Sequence, residues 1–98
     1  MLRRNEYMEW SNFNRFNRQK DVRIRKIDDE FYIICKNYNY KCNEMGALIL
    51  QQIGRDMDRI EFGERVRKKY LLDDDVNIDE DIDEYVHFLM EEKLIFEC

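Results

Sequence analysis

The 98-residue chain contains no proline, three glycines, three cysteines and a single histidine, and most of these scarcities close off a class of function. Gly46, Gly54 and Gly63 stand too far apart to form the glycine-rich loop whose backbone amides cradle a phosphate. Cys35, Cys42 and Cys98 make no close-spaced pair, so neither a disulfide framework nor half of a zinc site is pre-formed, even with His87 counted as a fourth donor. An odd number of cysteines without a secretory signal argues for reduced thiols, Cys35 and Cys42 serving as small strand hydrophobes and Cys98 as an exposed terminal thiol. His87 falls off the apolar stripe of its helix, where it is expected to be exposed and to lack the partner a general base needs. Asp73-Asp74-Asp75 lacks the spacing and central glycine of a calcium loop. With no nucleophile beside a base and no paired acid and base, the chain reads as a non-enzyme: no catalytic residue, no metal and no cofactor is expected.

Long apolar runs are missing as well. None approaches the eighteen or so residues of a membrane span, and Met1-Leu2-Arg3-Arg4 is followed by Asn and Glu rather than by a signal-peptide core, so a cytoplasmic location is expected. There is no internal repeat and no low-complexity tract, and the length holds one domain with one modest core.

Positive charge is absent from one stretch. Residues 1–72 carry sixteen Lys or Arg against eleven Asp or Glu, a net of +5, whereas residues 73–92 carry ten acids and no Lys or Arg. A field that negative repels phosphate, so nucleic acid is not an expected partner. Acids near a helix N-terminus are favoured by the macrodipole, and a solvated helix face accounts for much of the run.

What is present is a change of hydrophobic period along the chain. Residues 1–20 are rich in Asn and Arg, with Tyr7, Trp10, Phe13 and Phe16 at three-residue spacing. This segment reads either as a short amphipathic helix or as a partly mobile arm that docks only in part. From Val22 the period is two: Val22 and Ile24 alternate with Arg23 and Arg25, and Phe31, Ile33 and Cys35 with Tyr32, Ile34 and Lys36. Asp28-Asp29-Glu30 joins the two strands, without glycine, by what is expected to be a slightly longer loop. A third strand, Tyr38 to Cys42, follows a turn at Asn37, and sequential hairpin pairing leaves it at an edge.

Asn43 stands at a helix N-cap, followed by Met45, Leu48, Ile49, Leu50 and Ile53 on a broad apolar face that Gly54 closes. A second helix carries Phe62, Val66 and Tyr70, with Gly63 inside it at a cost of about 1 kcal/mol against Ala. A third begins near Asp79 with Ile82, Tyr85, Val86 and Leu89 in one stripe and Phe88 off it; Lys93 ends it, and Leu94-Ile95-Phe96 packs back on the core. The expected fold class is α+β: a small three-stranded antiparallel sheet followed by a three-helix, winged-helix-like bundle, with residues 21–98 as the domain.

Tyr40-Lys41-Cys42-Asn43-Glu44 resembles the Tyr-x-Leu-Asn-x junction between strand three and helix one of PqqD-like proteins, the RiPP precursor-peptide recognition elements. Phe62, Val66, Tyr70, Asp81-Ile82, Tyr85-Val86, Leu89 and Leu94-Ile95 are similar to the rest of that pattern, over about residues 22–96. Cys42 in place of leucine and Gly63 within helix two depart from it. The resemblance implies a peptide chaperone that binds the leader of a ribosomally synthesised precursor by β-strand addition. It would deliver that leader to a modifying enzyme such as a radical-SAM maturase, a cyclase or a leader peptidase. The implied peptide-binding residues are Tyr38, Asn39, Tyr40, Lys41 and Cys42 on the strand edge, and Ile82, Tyr85, Val86 and Leu89 as the groove wall. Asp83 and Glu84 are candidates for selecting a basic leader. The alternatives are a winged-helix DNA-binding module, which the acidic third helix opposes, and a structural dimerisation subunit.

Overall fold

The computed structural model describes residues 9–36, 38–73 and 75–98. The first eight residues of the expected arm, Asn37 of the expected turn and Asp74 of the acidic loop thus lie outside the described residues. The element order is β1 (Phe16–Arg18), β2 (Arg23–Ile27), β3 (Glu30–Ile34), β4 (Asn39–Cys42), α1 (Glu44–Gln52), α2 (Arg59–Tyr70), α3 (Ile78–Glu91) and β5 (Ile95–Glu97). This is the expected α+β class, with a three-stranded antiparallel sheet in the order β2-β3-β4 and three helices. No helix among the described residues is long and apolar enough to cross a membrane.

Period-two patterning sorts the sheet into two faces. Ile24, Ile33 and Tyr40 lie opposite one another across the three strands, and so do Lys26, Phe31 and Cys42. Ile33 is fully buried and Ile24, Tyr40 and Cys42 pack against the core, so this face turns to the helices. The β2–β3 turn is shorter than its sequence suggests. Asp28 (φ 51°) and Asp29 (φ 67°) both adopt the left-handed conformation, which gives a two-residue hairpin turn of the primed kind without glycine. Aspartate tolerates that conformation better than most side chains, because its short carboxylate bonds locally.

Each helix opens on a side-chain cap that accepts from free first-turn amides: Asn43 from Gly46, Asp58 from Ile60 and Glu61, Asn77 from Glu80. Two helices close on a left-handed residue other than glycine, Leu71 (φ 53°) and Lys93 (φ 61°). In each case the following residue donates back to a carbonyl five positions earlier, Leu72 to Arg67 and Leu94 to Leu89. The second closure turns the chain so that Leu94 and Ile95 enter the core. Gly63, expected to interrupt α2, lies within a continuous helix, buried against Ile78 of α3.

Residues 9–20 are not a loosely docked arm. Trp10, Phe13 and Phe16 are buried and meet edge to face, and Phe13 also packs edge-on against Phe62 of α2 at 5.1 Å between ring centroids. Backbone bonds then stitch the segment down: the Phe13 amide donates to the Met57 carbonyl, and the Phe13 carbonyl accepts from Gly54. β1 pairs with β5 in a second, two-stranded antiparallel ribbon that puts Phe16 opposite Glu97 and Arg18 opposite Ile95. The Arg59 guanidinium stacks 4.6 Å over the Trp10 ring while bonding the Asp83 carboxylate of α3 at 2.6 Å, which ties the segment to two helices.

Candidate functional site

β4 is an edge strand, and the parity of its ladder decides which of its backbone groups are free. The Cys35 amide donates to the Tyr38 carbonyl, so Tyr38, and with it Tyr40 and Cys42, turn their peptide groups toward β3. Asn39 and Lys41 therefore aim their N–H and C=O groups away from the sheet, and no strand among the described residues pairs with them. β2 forms the other edge but carries Arg23, Arg25 and Lys26 along its length, the usual guard against strand addition. On β4 the one cation, Lys41, is held on the outer face by Glu30 at 2.9 Å; each partner draws the other further into its charged form.

Beside the free edge runs a row of four aromatic rings. Tyr38 and Tyr40 lie 6.4 Å apart, Tyr40 meets Phe88 edge to face at 6.2 Å, and Phe88 meets Tyr85 at 5.6 Å. The Tyr40 hydroxyl donates to Glu92 at 3.0 Å, and that bond to a carboxylate, with partial desolvation, raises its pKa. At the far end the Tyr85 ring lies directly over Gly46 of α1, where a Cβ would overlap its Cζ and Oη atoms. Burial, reinforced by the neighbouring Cys42 thiol, pushes the Tyr85 phenol far above its ordinary pKa. Burial likewise pushes the Cys42 thiol up, so it stays protonated and unreactive at neutral pH.

Between the end of β4, the start of α1 and α3 lies an open groove of about 390 Å³ lined by Asn43, Met45, Asp81, Glu84, Tyr85 and Phe88. α3 runs antiparallel to β4 along it: Glu92 and Phe88 meet Tyr40, Tyr85 meets Cys42, and Asp81 and Glu84 face the Asn43–Met45 end. A backbone edge, aromatic walls and acids at one end are thus brought into a single trough.

The sequence-expected residues divide by burial. Tyr38, Asn39 and Lys41 are exposed, and Tyr40, Cys42 and Tyr85 are half-buried along the trough. Ile82, Val86 and Leu89 are not groove walls: they are at most 3% exposed and form the α3 side of the core. The apolar stripe that periodicity finds on an amphipathic helix is the face turned inward, and only its flank at Tyr85 reaches the surface. Phe88 takes over the wall. Its place off the stripe, three residues from Tyr85, is what an exposed flank requires. Asp83 is engaged with Arg59, so of the two acids considered for selecting a basic peptide only Glu84 lines the groove, joined by Asp81.

Elsewhere, His87 has a partner in place of the isolation expected for it: Nε2 lies 3.3 Å from a Glu91 carboxylate oxygen. The three thiols sit in separate surroundings, Cys35 against the Tyr38 carbonyl, Cys42 beside Tyr85, and Cys98 accepting from the Asn17 amide at 2.8 Å. Comparison of the chain with protein-family models, with curated proteins and with solved structures finds no match in any of the three.

Proposed function

We propose that this protein binds an extended segment of a ribosomally synthesised precursor peptide as an added strand on β4 and presents it to a modifying enzyme. The observation that carries the reading is the outward-facing main chain of Asn39 and Lys41 beside the aromatic row. Strand addition draws affinity from main-chain hydrogen bonds and selectivity from pockets for alternate side chains. β4 supplies the first and the trough along Tyr40, Phe88 and Tyr85 the second. The resemblance of Tyr40-Lys41-Cys42-Asn43-Glu44 to the strand-to-helix junction of peptide-recognition elements agrees with this placement.

The test exploits the ladder parity. The Lys41 N–H points to solvent in the free protein, so proline at this edge position removes a donor without breaking a bond to β3. A fluorescein-labelled leader peptide, made from a short reading frame beside the gene, is titrated in anisotropy against wild type, Lys41→Ala and Lys41→Pro. Lys41→Ala is expected to bind like wild type and Lys41→Pro about tenfold more weakly, the equivalent of one main-chain hydrogen bond. A folded Lys41→Pro variant that binds as tightly as Lys41→Ala would refute strand addition on β4.

A further inference from the structure

The groove beside β4 is apolar on two walls and acidic at one end, and its acids have no counter-charge. Neither the Asp81 nor the Glu84 side chain forms an ion pair or hydrogen bond with any described residue. Cations on the neighbouring elements are engaged elsewhere: Lys41 with Glu30 on the opposite sheet face, Lys69 with Glu44, Arg59 with Asp83, while Lys26 lies over the Phe31 ring on the side of Glu44. Helix polarity explains why Asp79, Glu80 and Asp81 gather in the first turn of α3. It does not explain Glu84, one turn further along and facing the same groove.

Resting on the strand-addition reading, we infer that the peptide accepted at β4 is basic at the end lying against Asp81 and Glu84 and aromatic or aliphatic where it crosses Phe88 and Tyr85. The spacing suits this occupant. Residues three apart on a helix have Cβ atoms about 5–6 Å apart. Residues two apart on a strand, which share a face, are about 6.6–6.8 Å apart. Two Lys or Arg side chains at alternate positions of the added strand therefore reach one carboxylate each, and long basic side chains span the remaining gap with apolar stems against the rings. An acidic segment in the same register would set two like charges against Asp81 and Glu84, within a stretch, residues 73–92, that carries ten acids in all.

The probes are two short synthetic peptides of one apolar pattern, differing only in whether two alternate residues at one end are lysine or glutamate. Each is titrated into the isotopically labelled protein and followed by NMR shifts of the Asn39 and Lys41 amides. The lysine peptide is expected to bind about tenfold more tightly at low salt, a preference that shrinks as ionic strength rises. In the double variant Asp81→Asn, Glu84→Gln the two peptides should bind alike. Equal affinities in wild type, with the amides of Asn39 and Lys41 still shifting, overturn the basic preference and leave strand addition standing. If neither peptide moves those amides, both readings fail.

Discussion

Two glycines inside helices make a paired test of how backbone propensity and local packing compete. Gly→Ala in a helix interior gains about 0.5–1 kcal/mol from reduced unfolded-state freedom and better helix propensity. At Gly63 nothing opposes the gain: the new Cβ would lie 3.6 Å from Ile78 Cγ2 and 3.9 Å from Ile82 Cδ1, ordinary contact distances in a buried seam. Gly63→Ala should therefore be more stable by about 1 kcal/mol, which for a domain this size raises Tm by about 4–8 °C. At Gly46 the same methyl would overlap Cζ and Oη of Tyr85 and lie 2.7 Å from Cε2. Tyr85 must swing out into the groove, losing its edge contact with Phe88 and part of its ring burial, together about 1–2 kcal/mol. Loss exceeds gain, so Gly46→Ala should be less stable by about 1 kcal/mol. Urea unfolding followed by Trp10 fluorescence measures both variants. Adding Tyr85→Leu, which removes the overlapping atoms, should turn Gly46→Ala from destabilising to stabilising. A Gly46→Ala protein as stable as Gly63→Ala would refute the close approach of Tyr85 to α1, and with it the shape of the groove wall.

Phe13→Ala should cost about 3–5 kcal/mol in urea unfolding, because the ring is fully buried against Trp10 and Phe62; a loss under about 1 kcal/mol would put residues 9–20 outside the core. The alkaline limb of stability follows mainly from the half-buried Tyr85; Tyr70, whose phenol is pushed up to about 12 by desolvation and then by its bond to Glu44, is 37% exposed, so solvent screening makes its share the smaller one. Both folded pKa values lie above the unfolded value of about 10, so their contribution is complete below about pH 10 and is lost as pH rises beyond it. Denaturation midpoints should fall above about pH 10, and Tyr85→Phe should flatten that fall; a midpoint independent of pH up to about 11.5 would contradict the buried phenol.

The β2-β3-β4 sheet was legible because alternation in Val22–Ile24 and Phe31–Cys35 reports a half-buried strand directly, and sequential hairpins left β4 at an edge. Helix starts were legible at Asn43 and close at Asn77, since a cap is a local chemical event. The aromatic spacing of Trp10, Phe13 and Phe16 was visible, but not its destination. A three-residue spacing names no partner, and the partners here are Phe62 of α2 and β5 at the opposite end of the chain. The same limit misplaced Ile82, Val86 and Leu89. Period alone locates the apolar face of α3 without saying which neighbour covers it, and the groove lies on the flank.

By itself, then, the order of residues determined the three strands of the β2-β3-β4 sheet, the three helices, the edge position of β4 and the charge imbalance between residues 1–72 and 73–92, all properties of neighbours in sequence, but not the β1–β5 ribbon. Tertiary structure alone decided that Tyr40, Phe88 and Tyr85 share a trough, that Asp83 is engaged by Arg59 while Asp81 and Glu84 are not, and that residues 9–20 complete the core. The physical reason is that a side chain's availability depends on what packs against it, and here the deciding contacts join residues dozens of positions apart.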